Sequence, residues 1–287
     1  MYLKKYPNFK HLFPLLLFLL VFSLGYASPL EINWNKIERG VLYTRIVTNE
    51  VAKGTQVVIH VYNIDKARYA FRLLHWKDYS THGPLSFDQW YQQTNAPVLF
   101  NVCPDPMKNT PTGYFRASGK TIKKQTYKPW KGLLVTGQDA RSEAVTRVID
   151  MDFNYFDPEK AMDMDIFQQP MLLDKNKQIR VKPRKYKATR VALGEDKHRN
   201  VLIFLTENPC TLYELAQWLR NGPFDLERAI SLGNGNSDQV LGRYAPQRIY
   251  ITGNPAKKAD DLKRGNNLNK FSSEKVLSYV MGLTPIE

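Results

Sequence analysis

Thr55-Gln56-Val57-Val58-Ile59-His60-Val61-Tyr62 decides the fold class of this chain. Val57, Ile59 and Val61 point to one side of an extended backbone, and Val58, His60 and Tyr62 to the other, which is the period of two that a strand requires. Residues 41–48 before it and 69–74 after it are similar in composition, so the body opens on strands. Ser86-Phe87-Asp88-Gln89 is then a capping box, in which the Ser hydroxyl and the Gln amide cover backbone N–H groups that a first helical turn leaves free. It predicts a short helix ending near Thr94. Val98–Asn101 reads as a buried strand running into the turn Cys103-Pro104-Asp105-Pro106.

Farther out the pattern continues. Residues 112–121 predict a hairpin around Gly113 and Gly119, whereas between 138 and 165 the periodicity weakens and aspartates are scattered among aromatics. Val201–Thr206 is an apolar strand. Thr211-Leu212-Tyr213-Glu214 is a second capping box, followed by Leu215, Ala216 and Leu219 at helical spacing and stopped by Asn221-Gly222-Pro223. Residues 229–232 predict a short strand feeding the loop Gly233-Asn234-Gly235-Asn236-Ser237. A last helix is expected near 273–281, burying Val276, Leu277, Val280 and Met281. Strands with helices interspersed indicate an α+β fold: one domain with a mixed, largely antiparallel sheet and several short helices.

The N-terminus has the three parts of a secretory signal peptide. Lys4, Lys5 and Lys10 give a positive start, residues 12–24 are almost all Leu, Phe and Val, and Gly25-Tyr26-Ala27 offers small residues for a cut after Ala27. An uncleaved anchor is the alternative, but the apolar run is shorter than the roughly 20 residues a span needs. The expectation is a signal peptide over 1–27, a mature domain over 28–287 with no stable membrane span, and a periplasmic or secreted product. Loss of the three lysines lowers the formal charge from +14 to +11. Such a balance suits anionic polymers, although the basic residues are spread along the chain and fit a solvated surface equally. Specific nucleic-acid recognition is not expected. Cys103 and Cys210 are the two cysteines. Outside the cytosol they could pair, adding about 4–5 kcal/mol by chain entropy, or remain buried thiols.

Several constellations are absent: His-Glu-x-x-His, Cys-x-x-Cys, a phosphate-cradling glycine loop ending in Lys-Ser/Thr, and a Gly-x-Ser-x-Gly elbow. His60, His75, His82 and His198 are too dispersed for a zinc site of neighbouring residues, and His60 reads as a satisfied structural histidine. Asp150 and Asp152 would share a strand face and could hold a hard cation; a solvated edge is the simpler expectation.

Taken in order, one series of segments carries more. Asn63-Ile64-Asp65, Leu99-Phe100-Asn101-Val102-Cys103, Pro111-Thr112-Gly113 with Gly119-Lys120, Gln169-Pro170-Met171-Leu172-Leu173, Thr189-Arg190-Val191-Ala192-Leu193-Gly194, the capped helix at 211–219 and the loop at 232–237 follow one another. This succession resembles the phosphodiester glycosidase family over roughly 37–250. In that pattern an Asn-Gly-Gly-Phe turn corresponds to Asn101, with Val102 and Cys103 replacing glycines. The family's Arg-Thr-Ala-Ile-Gly corresponds to Arg190-Val191-Ala192-Leu193-Gly194. Its Leu-Asp-Gly-Gly-Gly-Ser loop is matched at Leu232, Gly235 and Ser237, but Gly233 stands where the Asp is expected and Asn234 replaces a glycine.

The resemblance implies hydrolysis of a sugar–phosphodiester or related glycosidic linkage. Arg190 would supply a planar fork to phosphate oxygens, its alternative being a surface ion pair. Asn101, Asn234, Gly235, Asn236 and Ser237 would line the substrate site. Asp238 and Asp105 are the nearest carboxylates to replace the missing Asp, since such hydrolysis uses two carboxylates or one carboxylate and a divalent cation. A disulfide between Cys103 and Cys210 would brace the rim. The partner expected is a carbohydrate or other anionic glycan. Two further readings compete: a catalytically impaired relative that binds an envelope polysaccharide, and a basic binder of anionic polymers whose affinity falls steeply with salt.

Overall fold

A computed structural model describes residues 32–102, 111–138, 143–161, 163–232, 239–244, 247–252, 276–277 and 279–286. The chain divides into an N-terminal unit, Met1–Asn33, and a body, Trp34–Glu287. The body begins with β1 (Asn35–Glu38), β2 (Val41–Ala52), β3 (Thr55–Ile64), β4 (Tyr69–His75) and β5 (Leu85–Ser86), then α1 (Phe87–Thr94) and β6 (Val98–Asn101). Next come β7 (Phe115–Ala117), β8 (Lys120–Lys123), β9 (Gly132–Gln138), β10 (Ala144–Asp150), β11 (Asp165–Gln169) and β12 (Met171–Leu173). Then follow β13 (Val191–Asp196), β14 (Val201–Thr206), α2 (Leu212–Asn221), β15 (Leu226–Ser231), β16 (Gln239–Tyr244), β17 (Gln247–Thr252), β18 (Val276–Leu277) and β19 (Tyr279–Pro285).

Three larger sheets result. Their orders are β1-β2-β3-β14-β13-β15-β12, β10-β9-β11-β7-β8 and β17-β16-β6-β19-β4. One core lies among them: Val41, Tyr62 and Ile203 come from the first sheet, Phe115, Leu134 and Phe167 from the second, Phe71, Phe100 and Met281 from the third. Strand alternation explains the rest. On β6, Val98 and Phe100 join this core while Leu99 turns outward to Trp90 and Tyr91 of α1. On β14, Val201, Ile203 and Leu205 face the core, and Phe204 meets Trp218 of α2 edge-on at 6.2 Å. The first sheet is thus covered on both faces, which is why Val57 through Tyr62 are all buried although their side chains alternate.

Both capping boxes form. Gln89 N donates to Ser86 Oγ and Glu214 N to Thr211 Oγ1, with Gln89 and Glu214 side chains accepting from the cap amides in return. The 112–121 hairpin forms as β7–β8, turning through Ser118 (φ 50°) and Gly119 (φ 72°), the pair of positive φ values a two-residue hairpin turn needs.

Two expectations fail. The sheets are antiparallel, as expected in the main, but among the described residues no strand pairing is parallel and only two α-helices occur, so the body is more β-rich than an α+β fold with several short helices. The cause is connectivity: β2–β3, β7–β8, β9–β10, β13–β14 and β16–β17 are successive strands paired antiparallel, and short turns cannot make parallel pairs. The helix expected at 273–281 is also overturned. Residues 279–285 form β19, paired to β6 on one side and β4 on the other, with Tyr279, Met281 and Leu283 in the main core and Val280 on the opposite face against α1. No helix among the described residues is long and apolar enough to cross a membrane.

Candidate functional site

The site is built from strand ends. Arg190 immediately precedes β13, and its N–H donates to Thr206 Oγ1 (2.9 Å) while its carbonyl accepts from Thr206 N (2.9 Å), which fixes it against the last residue of β14. On the other side of β13, Leu232 N donates to Val191 O (2.9 Å), so the 233–238 segment departs from the strand end that begins with Arg190. The chain is next described at Gln239, the first residue of β16. Val240 pairs with Phe100 of β6, and Asn101, the last residue of β6, pairs on its other side with Val280. Six residues therefore join the Arg190 strand end to the Asn101 strand end, a reach of at most about 25 Å. Arg190 and Asn101 therefore stand at strand ends connected through residues 233–238, whose reach sets the upper bound on the separation of the anchors Leu232 and Gln239.

Gly233, Asn234, Gly235, Asn236, Ser237, Asp238, Cys103 and Asp105 lie outside the described residues, as does the side chain of Asn101. Arg190 lies among the described residues, and it is buried rather than on the surface. It is 2% exposed. Its Nε donates to Cys210 O (3.0 Å), one Nη2 hydrogen to Tyr186 O (3.0 Å), and the guanidinium lies 5.1 Å from the centre of the Tyr186 ring. Buried guanidinium groups require such acceptors, and here they tie the approach to β13 to the start of α2. Ala188 and Cys210 reinforce that tie by exchanging two backbone hydrogen bonds, of 3.1 and 2.9 Å. Beside Arg190, the hydroxyl of Thr189 is buried with no hydrogen-bond partner.

Cys210 carries a free, buried thiol. Burial pushes it up to about 11, the neighbouring Thr206 hydroxyl and Arg190 pulling the other way. Such a thiol is a packing group rather than a nucleophile.

Elsewhere, His60 is satisfied as expected: one ring nitrogen meets the Tyr43 hydroxyl (2.7 Å) and the other the Glu207 carboxylate (3.1 Å). Asp150 and Asp152 do not form a solvated edge. Asp150 is wholly buried, and Arg180 bridges it (3.1 Å) to Asp174 (3.2 Å) and to Asp152, with Lys131 also on Asp152 (2.8 Å). The cation these carboxylates hold is a guanidinium. Lys131, and after it Arg180, keep the Asp152 carboxyl below the usual carboxylate range against the opposing effect of burial. Among the described residues no group of three or more His, Cys, Asp or Glu is placed to hold a metal ion. Sequence reasoning missed Arg180 because two of its three partners, Asp152 and Asp150, are 28 and 30 residues away.

No protein-family model matches the sequence, and no curated protein matches it. Solved structures do match in fold. The catalytic domain of zebrafish N-acetylglucosamine-1-phosphodiester alpha-N-acetylglucosaminidase, auto-inhibited by its pro-peptide, superposes with a TM-score of 0.58 at 14% identity, over 88% of this chain and 87% of that one. A hypothetical protein from Synechocystis superposes with a TM-score of 0.55 at 12% identity, over 90% of this chain and 64% of that one. At these identities the likeness is one of fold.

Proposed function

We propose that this chain is an exported glycan-directed protein that hydrolyses a sugar–phosphodiester or related glycosidic linkage. What supports the reading is that the Arg190 and Leu232 strand ends connect to the Asn101 strand end through one six-residue segment. The fold likeness to the zebrafish catalytic domain supports it. In this reading Asp238 and Asp105 supply the acid and base, with a divalent cation as the alternative second charge, because departure of a phosphate-linked sugar needs a proton donor and an activated water. Asn101 and residues 234–237 hold the sugar. A Gly- and Asn-rich segment suits that task, since its backbone N–H groups can approach a ligand closely. Arg190 contributes as a phosphate contact or, given the carbonyls it holds, by positioning the rim.

A second reading has a specific observation in its favour: Gly233 stands where the resembled loop carries Asp. A chain lacking that carboxylate would bind an envelope polysaccharide without cleaving it.

The deciding experiment incubates the protein lacking residues 1–27 with sugar-1-phosphodiesters, with and without divalent cations, and measures released sugar. Turnover that disappears in Asp238→Ala and falls at least about a hundredfold in Arg190→Ala supports the hydrolase, since general acid–base groups contribute on that scale. Binding of the same sugars without release selects the polysaccharide-binding reading. Full activity in Asp238→Ala removes that residue from the site.

A further inference from the structure

A concave region borders the β4 edge of the third sheet. Three hollows, of about 460, 510 and 330 Å³, meet there, and Tyr79 lines all of them. The first and third also share Leu74 and Thr284, and the second and third share Gln93, so the three adjoin around Tyr79 as one grooved surface. Ala96 and Pro97, just before β6, line the third hollow. Asn101 is at the far end of β6, about 13 Å from Pro97 at the rise of an extended chain.

Tyr79 is held firmly. Tyr79 N and Ser80 N both donate to Trp76 O (3.0 and 2.9 Å), and the ring meets the fully buried Trp90 edge-on at 5.2 Å. It nevertheless remains 37% exposed. A fixed aromatic ring open to a groove is a platform for the apolar C–H face of a pyranose ring, its hydroxyl still able to hydrogen-bond. Around it the wall carries the amides of Gln89, Gln92 and Gln93 and the hydroxyls of Ser80 and Thr81, groups that both donate and accept, as a hydroxyl-rich ligand requires.

Charge narrows the ligand. In a chain of net +14, the groove is lined by two strong cations, Arg72 and Lys77, against four carboxylates, Glu38, Asp78, Asp163 and Asp165. A polyanion drawn to the rest of the surface gains nothing here.

We propose that the Tyr79 groove is a binding site for an uncharged oligosaccharide chain, separate from the Asn101 end and independent of whether that end is catalytic. The experiment titrates the protein lacking residues 1–27 with three uncharged hexasaccharides, a β-1,4-glucan, an α-1,6-glucan and a β-1,4-linked N-acetylglucosamine chain, by calorimetry. At least one should bind. Tyr79→Ala should weaken that binding about tenfold or more, the loss of one good aromatic contact, while Tyr79→Phe stays within about threefold of the parent. Binding should be nearly unchanged between low and high salt, unlike a contact made by counterion release. Thermal unfolding of Tyr79→Ala close to the parent establishes that its fold is retained. Turnover of a small sugar-1-phosphodiester is the independent readout, and the variant should leave it unaltered. Failure of all three probes to bind, equal binding by a folded Tyr79→Ala, or affinity that collapses with salt each overturns the proposal.

Discussion

Arg180 holds Asp150, Asp152 and Asp174 together. Asp150 and Asp174 are at most 1% exposed, so removing the guanidinium leaves charges that water cannot reach. Arg180→Ala should cost about 3–5 kcal/mol in denaturant unfolding, and Arg180→Lys should recover part of it. Asp165 shows the opposite balance. Its two oxygens accept Leu73 N (2.9 Å) and Ser118 N (2.7 Å), yet burial outweighs those bonds and pushes its carboxyl up from the ordinary value. Burial does the same to Glu195, which Val148 N and Arg228 only partly offset. A raised carboxyl favours the folded state fully below about pH 4, and this contribution is lost as pH rises through the folded-state value. Asp165→Asn should flatten that part of the stability–pH curve between pH 4 and neutrality. It should also cost about 1–3 kcal/mol, because an amide nitrogen would face one of the two backbone N–H groups. Neither Asp165 nor Arg180 was legible in the sequence, since each role depends on strands brought together from distant positions.

At the scale of elements, the sequence was most readable where the physics is local. The two capping boxes involve residues three apart, and both appear as read. Thr211→Ala should lower stability by about 1 kcal/mol, visible as a reduced melting temperature, while Glu214→Gln should be much milder because an amide oxygen can still accept from Thr211 N. The last element was read wrongly for a physical reason. Val276, Leu277, Val280 and Met281 fall on one side of a helical wheel, but β19 sits between β6 and β4 with both faces covered. A strand buried on both faces loses the polar alternation that would have identified it. Asp150 and Asp152 were misread because the exposure of a strand end depends on what folds over it.

For the whole molecule, the order of the segments in the chain carried more than any one of them. It anticipated a fold that superposes on the zebrafish catalytic domain, and it named Arg190, Leu232 and Asn101, whose strand ends are connected through residues 233–238. It left a surface ion pair open for Arg190, because burial of a guanidinium by the carbonyls of Tyr186 and Cys210 leaves no pattern in the sequence. The closing strand completes the body. A chain stopped at residue 275 loses the strand between β6 and β4, and with it Tyr279, Met281 and Leu283 from the shared core. It should show no cooperative thermal transition, as measured by circular dichroism. The path from β15 to β16 has a further effect. It leaves the seven-stranded sheet and enters a five-stranded one within seven residues, so a ligand gripping that crossing acts as a rivet between two sheets. Amide exchange should then slow together at Ala229–Ser231 and at Val240–Gly242, in step with ligand occupancy.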